Sequence, residues 1–451
     1  MHWIQISSVI FSAIAFLLML TGTIYSCLEK EQRAAIRFGA MAILFPVVFL
    51  VPFFAGNQIV FAVWGGIEGL AILAVIVFLL PVQSRKFFRW DKPTKPIDER
   101  TIMFSRNLLQ HGTREYESYY RLYPQHLKAD EHFRRFPGLL SPESRYFNPA
   151  TFFAAEATFN VVEQLRDMAE GTPSHKQTDV SAKDLTRFLE KWTQKLGVVS
   201  FGTTALKDYH KYSYVGRGKD YGKPVDLTHP HAIAITTEMD KEMMEHAPYG
   251  PTVMESGQQY VNSGVIALQV AQFIRNLGYE ARAHIDGNYR VVCPLVAKDA
   301  GLGEIGRMGL LMTPELGPRV RIGVVTTDAP LELTGRLDNP SVIDFCMYCK
   351  KCAEVCPSNA ISFEEPQEID GIKRWQIDQE ACFTLWTKMG TDCGRCVSVC
   401  PYSHPNNLLH NLVRTGLKQS AAFRKAALKM DDFFYGRKPA PRKEEQWMRV
   451  M

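Results

Sequence analysis

Apolar residues dominate the first eighty positions of the chain and only afterwards begin to alternate with polar ones. No Asp, Glu, Lys or Arg occurs from Met1 to Leu28, nor again from Phe38 to Ile67. Three spans result, Trp3 to Tyr25, Phe38 to Ala55 and Val60 to Leu80. Each is near the ~20 residues that cross a hydrocarbon core, so three membrane helices are predicted. A signal peptide would need a basic start and a small-residue cleavage site, and the first span shows neither. Lys30, Arg33 and Arg37 fill the first loop, and Arg85, Lys86, Arg89, Lys92 and Lys95 follow the third span. The loop from Gly56 to Gln58 has no basic residue, so the bias places the N-terminus outside and everything after Trp90 in the cytoplasm. The lack of a twin-arginine export signal before the first span agrees with that orientation. Glu68 is the one ionisable residue inside a span, either a functional group or a hydrogen-bonded helix contact. His2 is the only histidine near the spans, so a haem anchor is not expected.

Beyond the spans the pattern changes. Asp91 to Pro149 has weak periodicity and is read as an irregular segment wrapping the rest. From Ala150, helical patterns (Thr151–Met168, Ser181–Leu196 with Ser181 as N-cap, Val253–Leu277) alternate with strand patterns (Val198–Thr203, Ala232–Thr237, Tyr279–His284, Val320–Thr327), which predicts an α/β core. The expected organisation is an anchor at 1–90, a wrapping segment at 91–149, a core at 150–340, a cysteine-rich domain at 341–405, and a basic helix from Leu408 to Lys429 with its tail at 406–451.

Composition adds little until the cysteines are counted. The 451 residues are 46% hydrophobic and 22% charged, which excludes disordered and low-complexity classes. The net charge of +5 comes without a Lys/Arg stripe interleaved with aromatics, so no nucleic-acid partner is expected. Eight of the ten cysteines fall between Cys346 and Cys400. Cys346-x2-Cys349-x2-Cys352-x3-Cys356-Pro357 is the bacterial ferredoxin run, in which the fourth cysteine serves the other cluster. Cys382-x10-Cys393-x2-Cys396-x3-Cys400-Pro401 repeats its ending. The spacing therefore assigns Cys346, Cys349, Cys352 and Cys400 to one 4Fe-4S cluster, and Cys356, Cys382, Cys393 and Cys396 to a second. Zinc would prefer two well-separated ligand pairs. Cys27 and Cys293 read as small hydrophobes.

Gly301, Gly303 and Gly306 form a G-x-G-x-x-G string, with Asp328 22 residues beyond Gly306. A dinucleotide fingerprint must follow a strand and open a helix, and Pro294, Pro314 and Pro318 crowd this one too closely. It is read instead as a glycine-rich loop that admits a bulky ligand.

The segments Ala300–Leu333, Asp344–Ser358 and Cys393–Ser403 resemble the cobalamin-dependent reductive dehalogenase family in order, spacing and wording. The resemblance covers roughly Ala150 to Ser403. Arg217 to Tyr221 is similar to a stretch of the more distant epoxyqueuosine reductases. The resemblance implies a nitroreductase-like, corrinoid-binding α/β core joined to a ferredoxin-like 2x4Fe-4S domain, with cobalamin bound base-off. The sequence lacks an Asp-x-His-x-x-Gly cobalamin motif, since Ser213 stands where Asp208-Tyr209-His210 would need glycine. The resemblance also implies a proton donor at Tyr260, with Ser256 one turn earlier on the same helix face and contributing to cofactor binding, as do Gly301, Gly303 and Gly306. A cation must stabilise the phenolate, and Arg319, Arg307 and Arg321 are the candidates, in that order. Asp286 and Asn288 either contact substrate or make a turn, the latter being favoured. Relative to the family, the chain lacks the exported leader and carries its own three-span anchor.

The expected function is a membrane-bound reductive dehalogenase that removes halide from a small organohalide by two-electron reduction. It would sit in the inner (cytoplasmic) membrane, among membrane lipid, with its catalytic domain facing the cytoplasm. A quinol, ferredoxin or flavoprotein would be the electron donor. The alternatives are a corrinoid reductase of a non-halogenated substrate, epoxyqueuosine reductase-like, or a quinol-linked electron-transfer subunit.

Overall fold

Three long helices open the chain: α1 (His2–Leu28), α2 (Gln32–Phe49) and α3 (Gln58–Leu79). All three are long and apolar enough to cross a membrane. α2 starts six residues before the second apolar span, taking Arg33 and Arg37 into its first turns. Gly22 lets α1 and α2 approach closely, because a Cβ there would lie 2.5 Å from the Phe38 ring. Glu68 on α3 is buried, and Ser7 and Ser8 of α1 each donate to its carboxylate at 2.6 Å. Between the functional and the helix-contact readings, that geometry is the helix contact. This is a computed structural model, and it describes residues 2–51, 54, 58–80, 94–335, 340–369 and 372–450. Gly56 and the basic residues Arg85, Lys86, Arg89 and Lys92 lie outside the described residues.

By packing, the chain forms two compact units, Met1–Phe87 with Pro405–Pro439, and Phe88–His404 with Ala440–Met451. In the second unit, the segment expected to be irregular carries three short helices, α4 (Met103–Asn107), α5 (Arg114–Leu122) and α6 (Leu127–Phe133). They are too short to display a period, and a buried Arg106 ties them down through Asp130 and, at 2.6 Å, Glu380. Next come α7 (Pro149–Gln164) and α8 (Ala182–Lys195). Ser181 caps α8 by accepting from the Asp184 amide at 3.1 Å.

The core sheet contains β1 (Val198–Ala205), β2 (His231–Glu238), β3 (Ala281–His284) and β6 (Val320–Thr327), in the order β1-β2-β6-β3. Every pairing is antiparallel. The alternation of helix and strand therefore does not build the parallel sheet that such a pattern ordinarily signals. Between β2 and β3 lie α9 (Lys241–Glu245) and the 27-residue α10 (Gly250–Asn276). α10 packs on β6, β3 and β2, and Gly323 makes room for it, since a Cβ there would stand 2.8 Å from the Ser263 carbonyl. α11 (Cys293–Asp299) leads into a small hairpin of β4 (Glu304–Ile305) and β5 (Leu311–Met312).

The cysteine-rich region is α12 (Pro340–Cys349), α13 (Lys351–Val355), α14 (Gln379–Met389) and α15 (Arg395–Ser398). α13 and α15, one from each cysteine run, pack together. The remaining helices belong to the first unit: α16 (Leu408–Gln419) and α17 (Ala421–Phe434). One continuous helix was expected there; Ser420 is extended instead and caps α17 by accepting from the Phe423 amide.

Candidate active site

The cysteines of the two runs lie near one another. None is paired in a disulfide, and the eight between 346 and 400 are buried or half-buried. Burial pushes the Cys400 thiol well above its ordinary value, with Cys349, Cys346 and Cys352 as the neighbouring thiols that add to it. Burial raises Cys382 to about 12, with Cys393 and Cys356 adding to it, and raises Cys393 to about 11, with Cys356 among its neighbours. Cys400 thus neighbours Cys346, Cys349 and Cys352, Cys382 neighbours Cys356 and Cys393, and Cys396 has both Cys393 and Cys352 beside it. Lys350 (φ 57°) and Cys393 (φ 61°) are both left-handed, so each run turns sharply next to a cysteine.

A cavity of about 440 Å³ reaches from the second set, Cys356, Cys382, Cys393 and Cys396, to Tyr260, Ser256, Arg321 and Asp392. Between those ends its walls are mostly apolar, including Met239, Val291, Met308, Leu311, Ile322 and Ile377. A second chamber of about 810 Å³ shares Tyr260, Arg321, Asp392, Phe104 and Trp386 with it, and has a charged rim including Arg217, Arg290, Asp220 and Asp286. No histidine lines either space among the described residues.

Tyr260 and Ser256 come from α10, Arg321 from β6, and Asp392 from the loop before Cys393. The Arg321 guanidinium carbon lies 4.1 Å from the centre of the Tyr260 ring. Its Nη2 donates to Ser256 Oγ at 3.0 Å, and Ser256 in turn donates to Asp392. Arg321 Nε and Asp392 Oδ1 are buried without hydrogen-bond partners. Burial raises the Tyr260 phenol, and Arg321 pulls it back only in part, so the hydroxyl keeps its proton at neutral pH. For Arg321 the balance goes the other way. Burial opposes its charge, but Tyr260 and Asp392 hold it above its ordinary value.

The order of preference among the arginines is corrected by this geometry. Arg319 donates to the Ser403 carbonyl at 2.8 Å, to Glu238 at 2.7 Å and to the Met239 carbonyl. Arg307 donates to the carbonyls of Cys346, Ser362, Glu364 and Met347 and lies over Trp375. Both are structural braces. Arg319 precedes the first residue of β6, so strand alternation does not carry it to the face that Arg321 occupies. The glycines are also placed differently. Gly301 has φ 84°, and a Cβ on Gly303 would stand 2.2 Å from the Met312 carbonyl, while one on Gly306 would meet the Met312 side chain at 2.8 Å. They let the β4–β5 hairpin fold onto itself, and it is Met308, Leu310 and Leu311 that line the cavity.

Asn288 makes the turn expected of it, its amide donating to the Ile285 carbonyl at 3.0 Å, yet both it and Asp286 also line the larger chamber. Cys293 is buried, raised to about 12 by burial, and stays a neutral thiol in the cavity wall. Asp392 was not singled out from the sequence. Its position beside a cluster-type cysteine was the available signal, but nothing local indicated that it would reach Ser256, 136 residues earlier.

Comparison with known proteins extends these observations. Residues 345–404 match the family described as a 4Fe-4S dicluster domain. The chain is 34% identical over 229 residues to a tetrachloroethene reductive dehalogenase of Desulfitobacterium hafniense, covering 48% of this chain and 40% of that one. It is 35% identical over 237 residues to the tetrachloroethene reductive dehalogenase of Sulfurospirillum multivorans, covering 49% and 46%. An epoxyqueuosine reductase of Leadbetterella byssophila is a more distant relative, 24% identical over 251 residues, covering 49% of this chain and 80% of that one. A solved catabolic reductive dehalogenase superposes with a TM-score of 0.59 at 22% identity, covering 80% of this chain and 50% of that chain. The chain thus has the reductive dehalogenase fold with a 4Fe-4S dicluster domain, and three apolar helices that suggest an anchor. It spans less than half the length of the first-mentioned dehalogenases that it matches.

Proposed function

We propose that this chain, a homologue of the reductive dehalogenases, removes halide from an organohalide by two-electron reduction. It would do so with cobalamin bound across the cavity and the adjoining chamber, and two 4Fe-4S clusters on the two cysteine sets. The observation that carries the reading is the Tyr260–Arg321 pair, which shares one cavity with Cys356, Cys382, Cys393 and Cys396. The walls suit a broad, apolar-edged cofactor of nitroreductase-like surroundings, and the lack of a lining histidine suits one bound base-off. Thiols held together in buried and half-buried positions are costly as thiolates unless a cationic cluster offsets their charge, which supports iron-sulfur ligation by Cys346, Cys349, Cys352 and Cys400, and by Cys356, Cys382, Cys393 and Cys396.

A bound corrinoid would supply the electron pair, and clusters on the two cysteine sets would be its one-electron source. The chain's own residues supply the rest. Carbon–halogen cleavage consumes two electrons and one proton and releases halide and a C–H product. Tyr260 Oη gives the proton. Arg321, 4.1 Å from the ring, stabilises the phenolate that remains, and Ser256, held by Asp392, orients the guanidinium. Arg307 and Arg319 hold the cysteine domain against the core without touching substrate.

Lys30, Arg33 and Arg37 support an inner-membrane anchor with the catalytic unit on the cytoplasmic side. A quinol, ferredoxin or flavoprotein would donate electrons, and lipid would surround α1 to α3. The test is anaerobic purification in detergent with cobalt and iron measured together. About one cobalt and eight iron per chain are expected; iron without cobalt removes the corrinoid. Halide release from a panel of haloaromatics and haloalkenes then separates this reading from reduction of a non-halogenated substrate.

A further inference from the structure

The segment after the cysteine domain packs with the anchor, and its polarity is partly inverted. On α16 and α17 the polar residues His410, Arg414, Arg424 and Asp431 are buried. Arg424 donates to the Leu417 carbonyl at 2.7 Å, and Arg414 to the Pro405 carbonyl at 3.1 Å. Meanwhile Leu408, Leu412, Met430 and Phe433 are 62%, 58%, 51% and 48% exposed. Leu408 and Leu412 are one turn apart on α16, and Met430 and Phe433 one turn apart on α17, so each helix presents an apolar face outward.

Position and charge indicate what covers these faces. His410 and Asn407 bond Glu29, just past the end of α1, at 3.0 and 2.7 Å. Phe434 stacks on Phe38 with ring centres 3.7 Å apart, and Arg37 lies 4.4 Å from the Phe433 ring. The two helices therefore sit at the end of the bundle that carries Lys30, Arg33 and Arg37. From Leu408 to Met430 there is no Asp or Glu, and Lys418, Lys425 and Lys429 are exposed. Outward apolar side chains flanked by flexible cations, level with the basic turn of a membrane bundle, match the chemistry of the headgroup layer of an anionic bilayer.

We propose that α16 and α17 form an interfacial hairpin bound to anionic phospholipid. Leu408, Leu412, Met430 and Phe433 enter the acyl boundary, and Lys418, Lys425 and Lys429 lie on the phosphates. This rests on the reading of α1 to α3 as membrane spans.

The full chain, carrying benzoylphenylalanine at 412, 433 or 72, is placed in nanodiscs of phosphatidylcholine with or without phosphatidylglycerol and irradiated, and adducts are identified by mass. Position 72, on the exposed face of α3, reports the anchor independently. Lipid adducts are expected at 412 and 433, with phosphatidylglycerol enriched at least about threefold over its share of the disc. The enrichment is expected to disappear in Lys418→Glu/Lys425→Glu/Lys429→Glu. Lipid adducts at 72 with none at 412 and 433 overturn the hairpin. Adducts at 412 and 433 without anionic preference overturn the lysine contacts. No lipid adduct at 72 overturns the anchor itself.

Discussion

The unit of long apolar helices and the unit that holds the cavity each bury an acid, and they treat it differently. Glu68 on α3 has a serine hydroxyl on each oxygen, Ser7 and Ser8, both at 2.6 Å. Asp392 has Ser256 on one oxygen and no partner on the other, and the arginine linked to the same serine also has an unpartnered Nε. A closed set of hydrogen bonds locks helices together. An open set beside a cavity retains capacity for a ligand, at a cost in stability that the fold tolerates. The arginines differ too, because Arg319 and Arg307 donate chiefly to main-chain carbonyls, although Arg319 Nη2 is also unpartnered, while Arg321 lies over Tyr260 in the cavity wall.

The largest effect is expected from Tyr260→Phe, which removes one hydroxyl. Turnover should fall by about 10²- to 10⁴-fold, with cobalt and iron content unchanged. Near-normal turnover would take Tyr260 out of the reaction and the open network with it. Arg321→Met and Arg319→Met sharpen the contrast between the arginines. The first should lose turnover on a similar scale while keeping its iron. The second orphans the Ser403 and Met239 carbonyls, while the half-exposed Glu238 turns to water, so it should cost about 1–3 kcal/mol in thermal or denaturant unfolding and shed iron. Reversal of those two phenotypes would undo the assignment of Arg321.

A smaller effect is expected from Asp392→Asn, which keeps an acceptor for Ser256 but lowers the charge beside Arg321. A loss of about tenfold in kcat, with KM and iron content little changed, would mark a positioning role. Loss of iron alone would make Asp392 a structural neighbour of Cys393. Glu68→Gln should leave turnover unaltered and shift stability in nanodiscs by about 1 kcal/mol or less; a catalytic defect there would mean that the closed pair is not merely a helix contact.

A last effect concerns pH. Burial pushes His284 well below its ordinary value, with Arg282 adding to it, and burial also lowers His229. Both stay neutral in the folded protein while the unfolded chain takes up protons near pH ~6.5. The unfolded state binds more protons below that point, so stability is complete above it and declines as pH falls, by at most about 1.4 kcal/mol per unit and group. Melting temperatures at pH 7.5, 6.5 and 5.5 measure it, and His284→Gln should flatten the decline.

What the sequence determined by itself was whatever depends on local spacing. Three apolar spans, the third carrying Glu68, become three helices long and apolar enough to cross a membrane, because length and composition alone decide that. Cysteines two apart fall on one short turn each, within Cys346–Cys352 and within Cys393–Cys396, because local spacing leaves them little choice. Ser181 caps its helix, and β6 runs over the residues its alternation marked. The tertiary structure decided what depends on distant partners. Arg321 rather than Arg319 meets Tyr260 because β6 begins between them. The glycines of the loop serve a hairpin because Met312 folds back on them. The antiparallel sheet, Asp392 under Ser256, and the attachment of α16 and α17 to the anchor all join residues far apart in sequence, and no local pattern encodes such contacts.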